Sequence, residues 1–325
     1  MSADTQVRRT EGRGKSIRMT SHSILKMTSV PILGIAGPWL PPVRAGQRGL
    51  AVFLFHDVTD KPSPYSLQVR TCTDPSLFVR QLAWIRHRFT ILHPQQIERG
   101  EIPPRSALLT FDDGFLSFRK VALPLLESEN LPAIVFLNMD VVEGSPNAAA
   151  LTAWSCRGNL FDQDLWEESQ PRKYERALQF LQDSGERSAF QEFQGRFLDE
   201  ADVAALDGHP LVTFGSHLSN HWYGPSLNGR EFDEALKTNH RRLQAYQHGM
   251  PWLAYPFGVG TPHLDERAES HGVTRVFTGR GLLNPEPSQT VLHRVDLNGE
   301  IRNRLLFRWR LSTRTALADL REIVG

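Results

Sequence analysis

Ala107-Leu108-Leu109-Thr110-Phe111-Asp112-Asp113-Gly114 opens as a short apolar run and stops abruptly in two carboxylates and a glycine. A continuous apolar run of this length reads as a strand buried on both faces, the kind that parallel sheets use. Acidic side chains at the C-terminal end of such a strand have the layout of an α/β active site. Asp and Gly are also common turn formers, so Asp-Asp-Gly taken alone reads as well as turn punctuation.

The flanking segments settle the fold class as α/β. Upstream, Leu50 to Phe55 is an apolar strand ending in His56-Asp57, and Asp74-Pro75 has the form of an N-cap followed by proline in a first helical turn. Phe78, Leu82, Ile85 and Phe89 then recur at helical spacing, which gives that helix one apolar face for a sheet. Downstream, a helix with Val121, Leu125 and Leu126 leads to another buried strand, Ala133 to Leu137. Further strands are expected at Val212 to Phe214, Trp252 to Tyr255, Arg275 to Phe277 and Leu292 to Leu297. Helices are expected over Phe232 to Tyr246 and from about Arg304 to Ile323. Apolar strands alternating with helices imply parallel pairing with the helices outside.

Between about residues 141 and 211 the alternation loosens. Trp154, Leu160, Phe161 and Trp166 lie scattered in polar surroundings, followed by helical stretches around Tyr174 to Gln182 and Glu200 to Leu206. So long an excursion between strands is expected to form a lid or a substrate-binding insertion. With no internal repeat and no linker, residues 49–325 read as one domain behind a basic tail, 1–48. In that tail Arg8, Arg9, Arg13, Lys15, Arg18 and Lys26 precede a mildly apolar segment, Ser29 to Gly37. The order resembles a signal peptide, but Pro31 and two glycines interrupt it, so the tail reads as disordered, with Met19 and Met27 as alternative starts.

The chain has 325 residues, 40% hydrophobic and 22% charged, with a net charge of +1, a globular composition with enough apolar mass for one large core. Near neutrality argues against nucleic-acid binding, which needs a basic face. Cys72 and Cys156 make neither a disulfide framework nor a zinc ribbon, which suits a reducing compartment. The expected location is the cytoplasm, with export as the alternative if the N-terminal segment acts as a signal. No stretch approaches the roughly 20 apolar residues of a membrane-spanning helix.

A second informative stretch is Phe214-Gly215-Ser216-His217-Leu218-Ser219-Asn220-His221-Trp222. Histidines four apart face one point if the segment takes a helical turn, and in a parallel barrel they share a face with the carboxylates. One carboxylate and two histidines form the three-ligand set with an open position that catalytic zinc sites use, or that nonheme iron uses. A second carboxylate beside them offers a general base and favours hydrolysis. Leu253-Ala254-Tyr255-Pro256-Phe257-Gly258 runs from a strand into a turn whose Phe257 N–H is a candidate oxyanion donor. Val291-Leu292-His293-Arg294-Val295 brings a titratable group and a cation to the last strand.

In this order the motifs resemble those of the NodB-homology polysaccharide deacetylases, carbohydrate esterase family 4. The similarity runs from about residue 50 to 300. Phe55-His56-Asp57-Val58 is similar to the Tyr-His-x-Val opening of one bacterial branch, and Thr110 to Gly114 matches the first motif in full. His217 and His221 match the second motif, with Leu218 where Ser or Thr is usual. Pro256 and Phe257 match the third, which usually carries an Arg where this chain has Ala254. Val291-Leu292-His293 fits the last motif, Leu-x-His, loosely.

The resemblance implies a distorted (β/α)7-type barrel with a helical insertion, and metal-dependent removal of N-acetyl groups from an amino sugar of a cell-surface or exopolysaccharide pathway. Asp112 would be the base, and Asp113, His217 and His221 would hold zinc or a similar divalent ion. The Phe257 amide would stabilise the oxyanion, His293 would be the acid, and Arg294 would supply the cation missing at Ala254. His56, Trp222, Tyr255 and Pro256 are candidate substrate contacts, with Trp222 and Tyr223 a possible sugar platform; packing roles suit them equally. The expected partner is an N-acetylated sugar, a polysaccharide or a lipid-linked glycan. A catalytically inactive glycan-binding barrel and an amidohydrolase acting on a small amide stand as alternatives.

Overall fold

The structure is a computed structural model and describes residues 49–157, 168–279 and 284–297. The basic tail, Leu160, Phe161, Trp166 and the helix expected at Arg304 to Ile323 lie outside the described residues.

The strands are β1 (Leu50–Phe55), β2 (Asp57–Val58), β3 (Cys72–Thr73), β4 (Thr90–Ile91), β5 (Ser106–Phe111), β6 (Ala133–Leu137), β7 (Val212–Ser216), β8 (Gly249–Ala254), β9 (Arg275–Thr278), β10 (Val291–His293) and β11 (Val295–Asp296). β2 and β3 form a small separate pair. The main sheet runs β10-β9-β8-β7-β6-β5-β1-β11, with β4 alongside the start of β5, and every pairing in it is parallel. β10 and β11 belong to one chain segment: β10 pairs β9, β11 pairs β1, and only Arg294 separates them. That segment closes the sheet into an α/β barrel, and parallel pairing puts all strand C-termini at one mouth.

Alternation along the strands explains their unbroken apolar sequences. Leu50, Val52, Leu108, Ile134, Phe136, Trp252, Phe277 and Leu292 fill the barrel interior. Their neighbours Ala51, Phe53, Phe55, Leu109, Phe111, Val135 and Phe214 face outward and pack with Phe78, Leu82 and Ile85 of helix Pro75–Arg86. That helix starts where the sequence indicates: Asp74 caps it by accepting from the N–H groups of Ser76 and Leu77, with Pro75 in the first turn. The segment read as one helix around Val121 is a π-helical turn, Phe118–Ala122, running into an α-helix, Leu123–Glu127.

Between β6 and β7 the chain forms helices Met139–Val142, Ala148–Arg157, Gln170–Ser184, Arg187–Gln194 and Glu200–Leu206. Ala150, Leu151, Ala177, Leu181, Phe190 and Phe193 make a small apolar cluster of their own. Tyr65, from helix Pro64–Gln68 after β1, completes it. The insertion and the β1 excursion therefore form one wall beside the mouth. Among the described residues no helix is long and apolar enough to cross a membrane.

Candidate active site

β5 ends at Phe111, and the next two residues enter the mouth. The Asp112 N–H still donates to Phe55 O at 3.0 Å, which extends the ladder by one residue. The chain then turns through left-handed backbone at Asp113 (φ 69°) and Gly114 (φ 71°). A Cβ on Gly114 would stand 2.7 Å from Leu137 Cδ2, so both space and conformation call for glycine. The turn leaves both carboxylates inside, with Asp112 3% and Asp113 6% exposed.

The two histidines converge without a helical turn. His217 follows β7 directly, Leu218 takes a left-handed φ of 60°, and the chain reaches His221 as an irregular loop. Buried amides hold that loop: Asn138, at the end of β6, donates to the carbonyls of His217 and Leu218. Asn220 accepts from the His221 N–H at 2.8 Å. His217 Nδ1 lies 2.8 Å from Ala254 O, which assigns its proton to Nδ1 and leaves Nε2 as an acceptor.

Asp113 Oδ1 lies 3.3 Å from His217 Nε2 and 3.2 Å from His221 Nε2. Asp113 Oδ1 and His217 Nε2 are buried, yet neither has a hydrogen-bond partner. Buried polar atoms left in this state need an explanation. One carboxylate and two imidazoles within 4.8 Å of one another form the only such cluster among the described residues. Oxygen and nitrogen donors of this kind suit zinc and other divalent ions, so these residues fit a metal.

Asp112 is held from the opposite side. Arg294 Nη1 donates to its Oδ1 at 2.6 Å and Nη2 to its Oδ2 at 2.8 Å, a parallel bidentate pair between buried groups. Burial pushes the Asp112 carboxyl up, but the Arg294 cation outweighs it and holds the group below its usual range. Asp112 is therefore charged, anchored and beside the donor cluster, with its Oδ2 3.8 Å from His217 Nε2.

The remaining candidates separate. Leu292 and Arg294, two apart on a strand, share the inward face; His293 lies between them and turns away, its Nδ1 2.7 Å from Thr278 Oγ1. Of this segment it is Arg294, and not His293, that reaches Asp112. Tyr255 is fully buried and donates to Asp265, and Pro256 is buried, so neither presents itself to a substrate. Trp222 is also a packing residue, its ring against Tyr174 and its indole N–H on Ser219 Oγ. Phe257 is the exposed one, at 58%, in a strained left-handed conformation (φ 60°). Its ring packs edge-on against His221 and Tyr223, with centroids 4.6 and 5.8 Å away. Its N–H belongs to the first turn of a short 3₁₀ helix, Pro256–Gly258, where N–H groups have no partner within the helix.

His56 stands half-buried at the end of β1, beside Asp57 and near Asp112. The neighbouring Asp57 is buried and accepts from Ser117 Oγ at 2.7 Å; burial raises its pKa. Sequence reasoning missed Asn138 and Asn220, whose only sequence signal was a polar amide directly after a strand and directly before a candidate ligand.

Comparison with known proteins places this geometry in context. Residues 99–276, more than half of the chain, match a family model described as polysaccharide deacetylase. No curated protein matches. Among solved structures, the chain resembles IcaB from Ammonifex degensii, with 21% identity and a TM-score of 0.57 over 82% of this chain and 98% of that one. It also resembles a de-N-acetylase from Aggregatibacter actinomycetemcomitans, with 15% identity and a TM-score of 0.57 over 80% and 99% of the two chains. A third is the Streptococcus pyogenes deacetylase PplD in complex with acetate, with 15% identity and a TM-score of 0.56 over 78% and 94%. At these identities the likeness is one of fold.

Proposed function

The chain belongs to the polysaccharide deacetylase family, and from that premise we propose that it is a metal-dependent hydrolase removing N-acetyl groups from an amino sugar of a cell-surface or exopolysaccharide pathway. The observation that carries this reading is the juxtaposition at the mouth. Buried, unpartnered donor atoms of Asp113 and His217 meet His221 beside a second carboxylate, Asp112, that Arg294 fixes in place.

Asp113, His217 and His221 would hold the ion, which when bound supplies Lewis acidity, polarising the amide carbonyl and acidifying water. Asp112 accepts the proton of the attacking water. Arg294 keeps that carboxylate ionised and aimed, and the Phe257 N–H donates to the carbonyl oxygen as charge develops there. The C–N bond breaks, and the proton held on Asp112 passes to the leaving nitrogen, so that amide and water become acetic acid and amine, which part as acetate and ammonium. Phe257 and Tyr223 form an aromatic rim against which a sugar ring can lie. The names of two similar folds, a de-N-acetylase and a deacetylase holding acetate, agree with amide cleavage.

The test is acetate release from N-acetylated amino-sugar oligomers. The proposal expects release that stops on chelation, returns with zinc, and falls on the order of 10²–10⁴-fold in Asp112→Asn. Release that survives complete chelation contradicts it.

A further inference from the structure

Leu218 lies between the two histidines with its side chain fully buried, and that apolar side chain gives the loop no hydrogen bond. Asn220, 1% exposed, does that work. Its Oδ1 accepts from the His221 N–H at 2.8 Å and from the Ala148 N–H at 2.8 Å. Its Nδ2 donates to Pro146 O at 3.1 Å, a carbonyl that also accepts from Tyr174 OH at 2.9 Å.

Ala148 opens helix Ala148–Arg157, and the first four N–H groups of a helix have no partner inside it. The N–H groups of Ala149 and Ala150 go to Asn147 Oδ1 at 3.0 Å, and that of Leu151 to Asn147 O at 2.8 Å. The Ala148 N–H is the one left over, and Asn220 takes it. A single amide oxygen therefore caps the insertion's helix and fixes the backbone of a metal-ligating histidine.

Resting on the metal reading above, we propose that Asn220 is a positioning residue that couples the helical insertion to the metal centre, so that ion affinity depends on the insertion and the insertion's order depends on the ion. The coupling is reciprocal, because any free energy by which an ordered helix start favours the ion is returned when the ion binds. Residues that orient a ligand from behind govern affinity about 10- to 100-fold.

The experiment measures zinc affinity of the full chain by competition with a chromophoric chelator, in wild type, Asn220→Ala and Tyr174→Phe. Far-UV circular dichroism and melting of the metal-free forms are recorded alongside. Hydrogen exchange of residues 148–151 is followed with and without zinc. The expected result is zinc binding about 10- to 100-fold weaker in Asn220→Ala, and about threefold weaker in Tyr174→Phe, the scale of one neutral hydrogen bond. Zinc should slow exchange at 148–151 in wild type and not in Asn220→Ala. A merely structural role would lower the melting point of the metal-free protein without removing that zinc-dependent protection. Asn220→Ala affinity within about twofold of wild type, or no zinc-dependent protection at 148–151 in wild type, overturns the proposal. The second criterion needs no variant and holds even if Asn220→Ala fails to fold. If wild type binds no divalent ion at all, the metal reading falls and this inference falls with it.

Discussion

Arg294 grips Asp112 through two parallel hydrogen bonds of 2.6 and 2.8 Å, from the one residue that separates β10 from β11 where the barrel closes. The cation that the resemblance leads one to expect at Ala254 is absent there, and the segment between β10 and β11 supplies one instead. Closure of the fold and orientation of the Asp112 carboxylate thus depend on the same short segment.

Replacing Arg294 by Met should lower turnover strongly while zinc content stays near that of wild type, since Arg294 touches none of the three ligands. It should also destabilise by about 3–5 kcal/mol, because Asp112 would remain as an uncompensated buried charge. Arg294→Lys should not restore activity, as an ammonium cannot match the two-pronged geometry. Kinetics and metal analysis on the same preparations check this; unchanged turnover would sink it.

His293→Ala tests the opposite assignment. The side chain faces Thr278 and away from Asp112, so turnover should stay within about threefold of wild type, the scale of one peripheral contact. A loss on the order of 10²-fold or more would restore His293 as the general acid.

Gly215 borders Phe136 inside the barrel. A Cβ there would stand 2.5 Å from Phe136 Cε1 and 3.2 Å from Ile134 Cδ1. Gly215→Ala should cost about 1–3 kcal/mol through overpacking, seen as a melting point lower by roughly 3–10 °C. An unchanged melting point would mean that the Phe136 ring moves aside freely.

Away from the mouth, Asp233 accepts from Arg267 at 2.7 Å and pairs with His271 at 3.0 Å. Burial raises its pKa, but the Arg267 hydrogen bonds and His271 outweigh that and hold it below the ordinary value. A depressed folded pKa adds stability above the unfolded pKa, about 3.9, and that stability is lost as pH falls through the folded value. Asp233→Asn should therefore cost roughly 0.5–1 kcal/mol at neutral pH, and the gap should close on acidification below about pH 4. A gap that persists at low pH would point to packing instead of charge.

Much of this was legible in the sequence because it rests on local rules. The run from Ala107 to Gly114 predicted both the buried strand and the carboxylates at its end, and Asp74-Pro75 marked a helix start. The metal-type trio follows from residue type and from the shared mouth of parallel strands. Three things were not legible. Alternation from β10 into the residue that follows it puts His293 and Arg294 on opposite faces, which depends on register and not on composition. Trp222 and Tyr255 read as candidate substrate contacts beside a site, yet each side chain turns inward to a partner, on Ser219 and Asp265. The histidine loop is held by Asn138 and Asn220, amides whose partners lie across 79 and 72 residues of chain, on His217 O and Ala148 N.

The most direct test of the central claim is elemental analysis of purified protein after reconstitution with zinc, in wild type and Asp113→Ala. The account predicts near-stoichiometric metal in wild type and its loss in the variant, since Asp113 supplies the only carboxylate oxygen of the donor cluster. Wild-type protein that holds no divalent ion after reconstitution would contradict it and turn attention to a barrel that binds glycans without cleaving them.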